Sequence, residues 1–162
     1  VDDGADAIYV WGVQTDALVG QGKLDLIGKA VDLSKSHGIP CGVAAHDLRV
    51  VQECEEQKIA ADFYIKTFHH HKYPGAKLNY DSMWCSNPEE TVEFMQGVQK
   101  PWIAFKVLAA GAISPQDAFR YAFENGADFI LAGMYDFEIA EDVQIVNATL
   151  ASLPHRVRAW RG

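Results

Sequence analysis

Apolar residues gather in five short runs, at about 6–12, 40–46, 61–68, 102–109 and 128–134, and each is followed by a stretch whose apolar positions recur at helical spacing. That alternation predicts five βα units and therefore a parallel sheet. Helix starts are written clearly in two places. Asn87-Pro88-Glu89-Glu90 offers an N-cap residue, a proline at the first helical position and carboxylates in the first turn, and Ser114-Pro115-Gln116-Asp117 repeats the device.

A weak internal repeat marks the junctions. Gly4-Ala5-Asp6-Ala7-Ile8, Ala60-Ala61-Asp62-Phe63-Tyr64 and Gly126-Ala127-Asp128-Phe129-Ile130 have the form of one helix exit and strand entry used three times. A helix is expected before the second and third copies, whereas only three residues precede Gly4. The expectation is a single α/β domain over 1–162 that begins inside a longer architecture.

Two folds accommodate five βα units. One is a five-stranded, flavodoxin-like doubly wound sheet. The other is a parallel (β/α)8 barrel, which needs about 250 residues, so that this chain would hold its five C-terminal units. Side-chain parity favours the barrel. In the third run Asp62, Tyr64, Lys66 and Phe68 share a face, and in the fourth Trp102, Ala104, Lys106 and Leu108 do. A doubly wound central strand is covered on both faces and has no place for a lysine. A barrel strand has an interior face whose C-terminal end opens on a site. The expectation is that Lys66 and Lys106 point inward there, together with Tyr9, Trp11, Gly42, Ala44 and His46.

Composition narrows the partners. Hydrophobic residues make up 49% of the 162, enough for a core. The 22 acidic against 14 basic side chains give a net charge of −8, which argues against nucleic acid. No apolar run approaches the roughly 20 residues of a membrane span, and Val1-Asp2-Asp3 does not begin a signal peptide. A cytoplasmic location is expected, with a leader removed upstream of Val1 left open. Cys41, Cys54 and Cys85 match no zinc or redox spacing and are read as packing residues.

Two inward lysines on neighbouring strands would disfavour each other's charge, leaving one as a free amine able to attack a carbonyl. The alternative is that one pairs with a carboxylate such as Asp62 or Asp136, or snorkels to the rim. At the residues "ADFYIKT" and "AFKVLAAGAISPQDAFRYAFENGADFILAG" the chain resembles class I aldolases of the deoxyribose-phosphate aldolase type. The resemblance implies a carbon–carbon lyase in which Lys66 forms a Schiff base and Lys106 tunes it. "GADAIYVWGVQTDAL" is similar to an earlier strand of that family, where Tyr9 takes the place of an essential aspartate. The match at Lys66 also carries one extra residue.

The remaining candidates surround these lysines. Gly111 and Gly133 follow the last two strands, where barrels often bind phosphate, but Met134-Tyr135-Asp136 is bulky and anionic, and a neutral sugar or carbonyl compound fits at least as well. His46, His69 and His71 are the alternative ligand set for a divalent metal in an isomerase, epimerase or hydrolase; the simpler expectation is no cofactor, with one histidine acting in acid–base chemistry. The long connection from His69 to Asn87 carries Tyr73, Tyr80, Met83 and Trp84, aromatic and apolar groups suited to a substrate lid or to a subunit interface. The expected enzyme therefore uses Lys66, Lys106, Tyr9 and His46 for chemistry, with His69, Trp84, Gly111, Gly133 and Asp136 contacting substrate. A non-catalytic barrel fragment that forms a homo-oligomer, or pairs with the missing part of the barrel, is the third possibility.

Overall fold

The computed structural model describes residues 4–76, 84–153 and 155–162. Five parallel strands, β1 (Ile8–Val10), β2 (Cys41–Ala45), β3 (Phe63–Thr67), β4 (Trp102–Phe105) and β5 (Phe129–Leu131), lie in the order β1-β2-β3-β4-β5. Six α-helices are found among the described residues: α1 (Gly12–Gly20), α2 (Leu24–Lys35), α3 (Leu48–Glu56), α4 (Pro88–Gly97), α5 (Pro115–Glu124) and α6 (Ile139–Ala151). The chain is thus an α/β protein with an all-parallel sheet. None of these helices is long and apolar enough to cross a membrane.

Local sequence explains most element ends. Asp47 caps α3 by accepting a hydrogen bond from the Arg49 N–H (2.9 Å), and Ser114 caps α5 through the Asp117 N–H (3.3 Å). Asn87 holds the N-cap position of α4, but its amide donates to Glu90 (2.6 Å) instead of capping the backbone. β1 and β4 are shorter than their apolar runs. Gly12 starts α1 two residues after β1, and Lys106 turns into the left-handed region (φ 56°) directly after β4.

One face of the sheet is the core. Cys41, Val43, Ala45, Tyr64, Trp102 and Ala104 are fully buried, packed in one cluster with Ile27 and Val31 of α2, Val50, Val51 and Cys54 of α3, and Phe119 and Ala122 of α5. The register pairs Ala45 with Lys66 and Lys66 with Ala104, so Lys66 belongs to this helix-covered face. Tyr9 pairs with Gly42 and Gly42 with Phe63, which puts Tyr9 on the other face, and a Cβ at Gly42 would collide with the Phe63 ring. That second face is much more open, with Tyr9 48%, Phe129 49% and Leu131 49% exposed. The expectation that Lys66 shares an inward face with Tyr9, Gly42 and Ala44 is therefore corrected. Parity within β3 was enough to group its own residues, but which group meets the helices depends on register.

The second and third copies of the repeat share a physical role at the N-terminal end of the sheet. Asp62 exchanges two hydrogen bonds with Cys41, the first residue of the preceding strand: its N–H donates to the Cys41 carbonyl and its carboxylate accepts the Cys41 N–H, both at 2.8 Å. Asp128 does the same with Trp102. Lys35 then pairs with Asp62 (2.7 Å), while Arg156 and Arg158 both pair with Asp128.

Candidate active site

The C-terminal edge of the sheet brings together α1, the end of β2, the residues after β4 and Trp84. Gly12, Thr15 and Asp16 lie on one side of α1, at the i, i+3 and i+4 spacing that aligns helix positions. Thr15 donates to the Ala44 carbonyl, which pins this side of α1 to the end of β2. A Cβ on Gly12 would come within 3.3 Å of His46 Cε1, so glycine there gives the imidazole its room.

Asp16 fixes His46 from three directions. Its carboxylate accepts the N–H groups of His46 and Asp47 at 3.1 Å and the imidazole Nδ1 at 2.7 Å. A carboxylate only accepts, so Nδ1 carries the proton and Nε2 is left as the acceptor. Among the described residues no hydrogen bond engages Nε2. The ring lies between Trp84 (5.8 Å between centroids) and Phe105 (5.3 Å). Asp16 was not recognised in the sequence; its only signal is its position one turn beyond Gly12.

Lys106 follows β4 instead of standing on it, and its Nζ rests 3.0 Å from the centre of the Trp84 ring. Burial lowers its pKa below the ordinary lysine value, while attraction to the indole face works in the opposite direction by favouring the cation. Ala109, Ala110 and Gly111 are also left-handed, at φ 46°, 56° and 84°. Strained backbone of this kind concentrates at functional sites. The turn helps to form a cleft of about 710 Å³, lined among others by Trp84, Lys106, Gly111, Gly133, Glu138 and Asp142.

Lys66 occupies a different environment. It is fully buried, its Nζ donates to the Thr67 carbonyl (2.9 Å), and burial is the main cause of its lowered pKa, partly offset by Cys85, Asp16 and Asp47. It does not line the cleft, and neither Asp62 nor Asp136 pairs with it: Asp62 takes Lys35. Tyr9 stands on the opposite face of the sheet from Lys66, so the two are not arranged as a nucleophile and its proton relay.

The histidines form a clasp. His69 is 1% exposed, and its Nε2 accepts the backbone N–H groups of Trp84 and Cys85, each at 3.0 Å. Its Nδ1–H donates to the His70 carbonyl (3.1 Å), and burial holds its pKa below the usual value. His71 Nε2–H donates to the Cys85 carbonyl (2.6 Å), and His70 Nδ1 accepts the Lys72 N–H (3.0 Å). His69 is thus a structural contact to the Trp84 segment, in place of the substrate contact expected. Among the described residues no three His, Cys, Asp or Glu side chains converge as a metal-ligand group, and His46, His69 and His71 are engaged as described.

Of the other expected contacts, Trp84, Gly111 and Gly133 line the cleft. Asp136 does not; it lies in a 3₁₀ turn (Asp136–Glu138) and its carboxylate accepts the Phe137 N–H (2.9 Å). The carboxylates of the cleft are Glu138 and Asp142, two residues that no sequence pattern singled out. Tyr80 and Met83 lie outside the described residues. Comparison with known proteins adds no relative, because no protein-family model, no curated protein and no solved structure matches the chain.

Proposed function

We propose that the chain is part of a parallel β/α barrel and performs lyase-type carbonyl chemistry at the C-terminal edge of its sheet, with Lys106 as the amine. The strand order supports the barrel, because it runs β1 to β5 without the reversal of a doubly wound 2-1-3-4-5 sheet. The observation that carries the chemistry is the cleft itself. Lys106 is the lysine that lines it and its amine is eased toward neutrality by burial; the Asp16-oriented His46 is not itself a lining residue but packs against Trp84, which is.

The neutral amine of Lys106 attacks a carbonyl carbon; the carbinolamine loses water to give an imine, which takes a proton from solvent to become an iminium ion. His46 Nε2 removes the proton of a β-hydroxyl; the carbon–carbon bond then breaks, its electron pair passing into the iminium to give an enamine and releasing an aldehyde. Protonation of the enamine and hydrolysis by water restore Lys106. This keeps the aldolase-like expectation and moves the nucleophile from Lys66 to Lys106. Incubation with glycolaldehyde and dihydroxyacetone, borohydride reduction and peptide mapping test it. A mass adduct on Lys106, absent from Lys106→Met, is expected. An adduct confined to Lys66 would return the role to that residue, and no lysine adduct would overturn the chemistry.

Association is also supported, by the open face carrying Tyr9, Phe129 and Leu131 and by Asp6. Asp62 and Asp128 each receive the N–H of a neighbouring strand entry, whereas Asp6, exposed at the β1 edge, receives none among the described residues. A further parallel strand beside β1 would supply it. Light scattering over a concentration series checks this: a monomer at every concentration counts against self-association.

A further inference from the structure

Of the buried charged side chains, Asp128 and Arg158 pair with each other and Lys66 donates to a backbone carbonyl, and Asp142 stands apart from them. It is 5% exposed, makes no hydrogen bond or ion pair among the described residues, and borders both the Lys106 cleft and an adjoining apolar cleft of about 450 Å³ lined by Ile130, Leu131 and Val146. Its place in the first turn of α6 suits the helix dipole, but it does not cap the helix. Burial, then Glu138 and Glu141, push its carboxyl pKa up. Its carboxylate borders the cleft with no protein donor among the described residues, so it is open to a donor brought by a ligand.

We propose that Asp142 receives the protonated amine of the cleft's ligand, so that the substrate is an amino-substituted carbonyl compound of sugar size and not a phosphate ester. This rests on the Lys106 cleft being the substrate site. Glu138 lines the same cleft and adds a second negative charge, which repels a phosphate and attracts an ammonium. Tyr135, its ring stacked on Phe137 (5.3 Å between centroids), supplies an aromatic surface at the same rim. A cleft of about 710 Å³ falls within the roughly 300–1,000 Å³ range of small-molecule sites.

Calorimetric binding of glucosamine, glucose and glucose 6-phosphate separates amine, hydroxyl and phosphate on one frame. Wild-type protein, at a pH where the amine is protonated, is expected to bind glucosamine at least about 10-fold tighter than glucose, the size of a charge-assisted hydrogen bond. Glucose 6-phosphate is expected to bind weakest. Asp142→Asn is expected to abolish the preference, bringing glucosamine down to the level of glucose. Its melting temperature, expected to equal or exceed that of wild type, shows that it is folded. A preference for glucosamine that survives Asp142→Asn, tightest binding by glucose 6-phosphate, or no binding of any of the three would overturn the proposal. The lysine chemistry fails separately: no borohydride adduct with the glucosamine preference intact removes the Schiff base and leaves the ammonium site. An adduct without the preference does the reverse.

Discussion

The two ends of the sheet are built on opposite terms. At the N-terminal end the carboxylates of Asp62 and Asp128, each beside a strand entry, are satisfied. Asp128, whose side chain is 0% exposed, accepts the N–H groups of Trp102 and Arg161 and pairs with Arg156 and Arg158, and Arg158 spends its remaining donors on the carbonyls of Val98, Gly126 and Lys100. At the C-terminal end, among the described residues, Lys66 makes one hydrogen bond, His46 keeps Nε2 open and Asp142 makes none, while Lys106, Ala109 and Ala110 hold left-handed backbone. One end is closed by complementary charge; the other retains unspent donors, acceptors and strain. That division is the one expected of parallel sheets, whose ligands bind beyond the carboxyl ends of the strands.

Substitutions at both ends probe this contrast, and the largest effect belongs to the closed end. Asp128→Ala leaves two guanidinium groups and two backbone N–H groups without their acceptor, and is expected to cost about 3–5 kcal/mol in denaturant unfolding. A loss below about 1 kcal/mol would show that the buried network contributes little. His69→Ala comes next, at about 2–4 kcal/mol, because two backbone donors lose their acceptor and a cavity opens.

The pH dependence of stability carries the same contrast with a definite sign. His69 is held below its ordinary value of 6.5 in the folded state, so its contribution is complete above pH 6.5 and is lost as the pH falls toward the depressed value. Unfolding followed between pH 7.5 and 5 is expected to show that decline, with a smaller decline in the His69→Ala variant. Lys66 acts at the alkaline side. Its lowered pKa means that the unfolded chain holds the proton longer, so stability rises with pH up to about the unperturbed lysine value of 10.5. Lys66→Met abolishes that rise and is expected to stabilise the protein at neutral pH by about 1 kcal/mol or more, because a buried ammonium that has no carboxylate partner among the described residues disappears. Destabilisation instead would mean that the hydrogen bond to the Thr67 carbonyl outweighs the cost of burying the amine.

The smallest expected change is at the strained turn. Ala110→Gly relieves a left-handed residue at a cost of some chain entropy, with an expected net gain of at most about 1 kcal/mol. Thermal melting of the variant measures it, and a drop in melting temperature would argue that the turn is unstrained.

Much of the architecture was legible because it is local. Apolar runs marked the five strands, Asn87-Pro88 and Ser114-Pro115 marked helix starts, and the Gly/Ala-Ala-Asp repeat marked strand entries, two of whose carboxylates, Asp62 and Asp128, do the same job. The site was legible only in outline. Lys106, His46, Trp84, Gly111 and Gly133 were named and do come to the C-terminal edge, yet Lys66 points into the helix layer, Tyr9 sits on the other face and His69 serves as a clasp. Asp16, Glu138 and Asp142 went unnoticed, since nothing near them in sequence distinguishes them from surface carboxylates.

The succession of strands and helices, the helix starts and the position of an aspartate at each strand entry of the repeat could be read from the chain alone, because each is written in residues a few positions apart. Tertiary structure decided which face of each strand meets the helices, since period-two alternation is symmetric until register and packing break the symmetry. It also decided which charges are paired, because pairing joins residues as distant as Asp128 and Arg158, or Asp16 and His46, whose separation along the chain holds no trace of their contact.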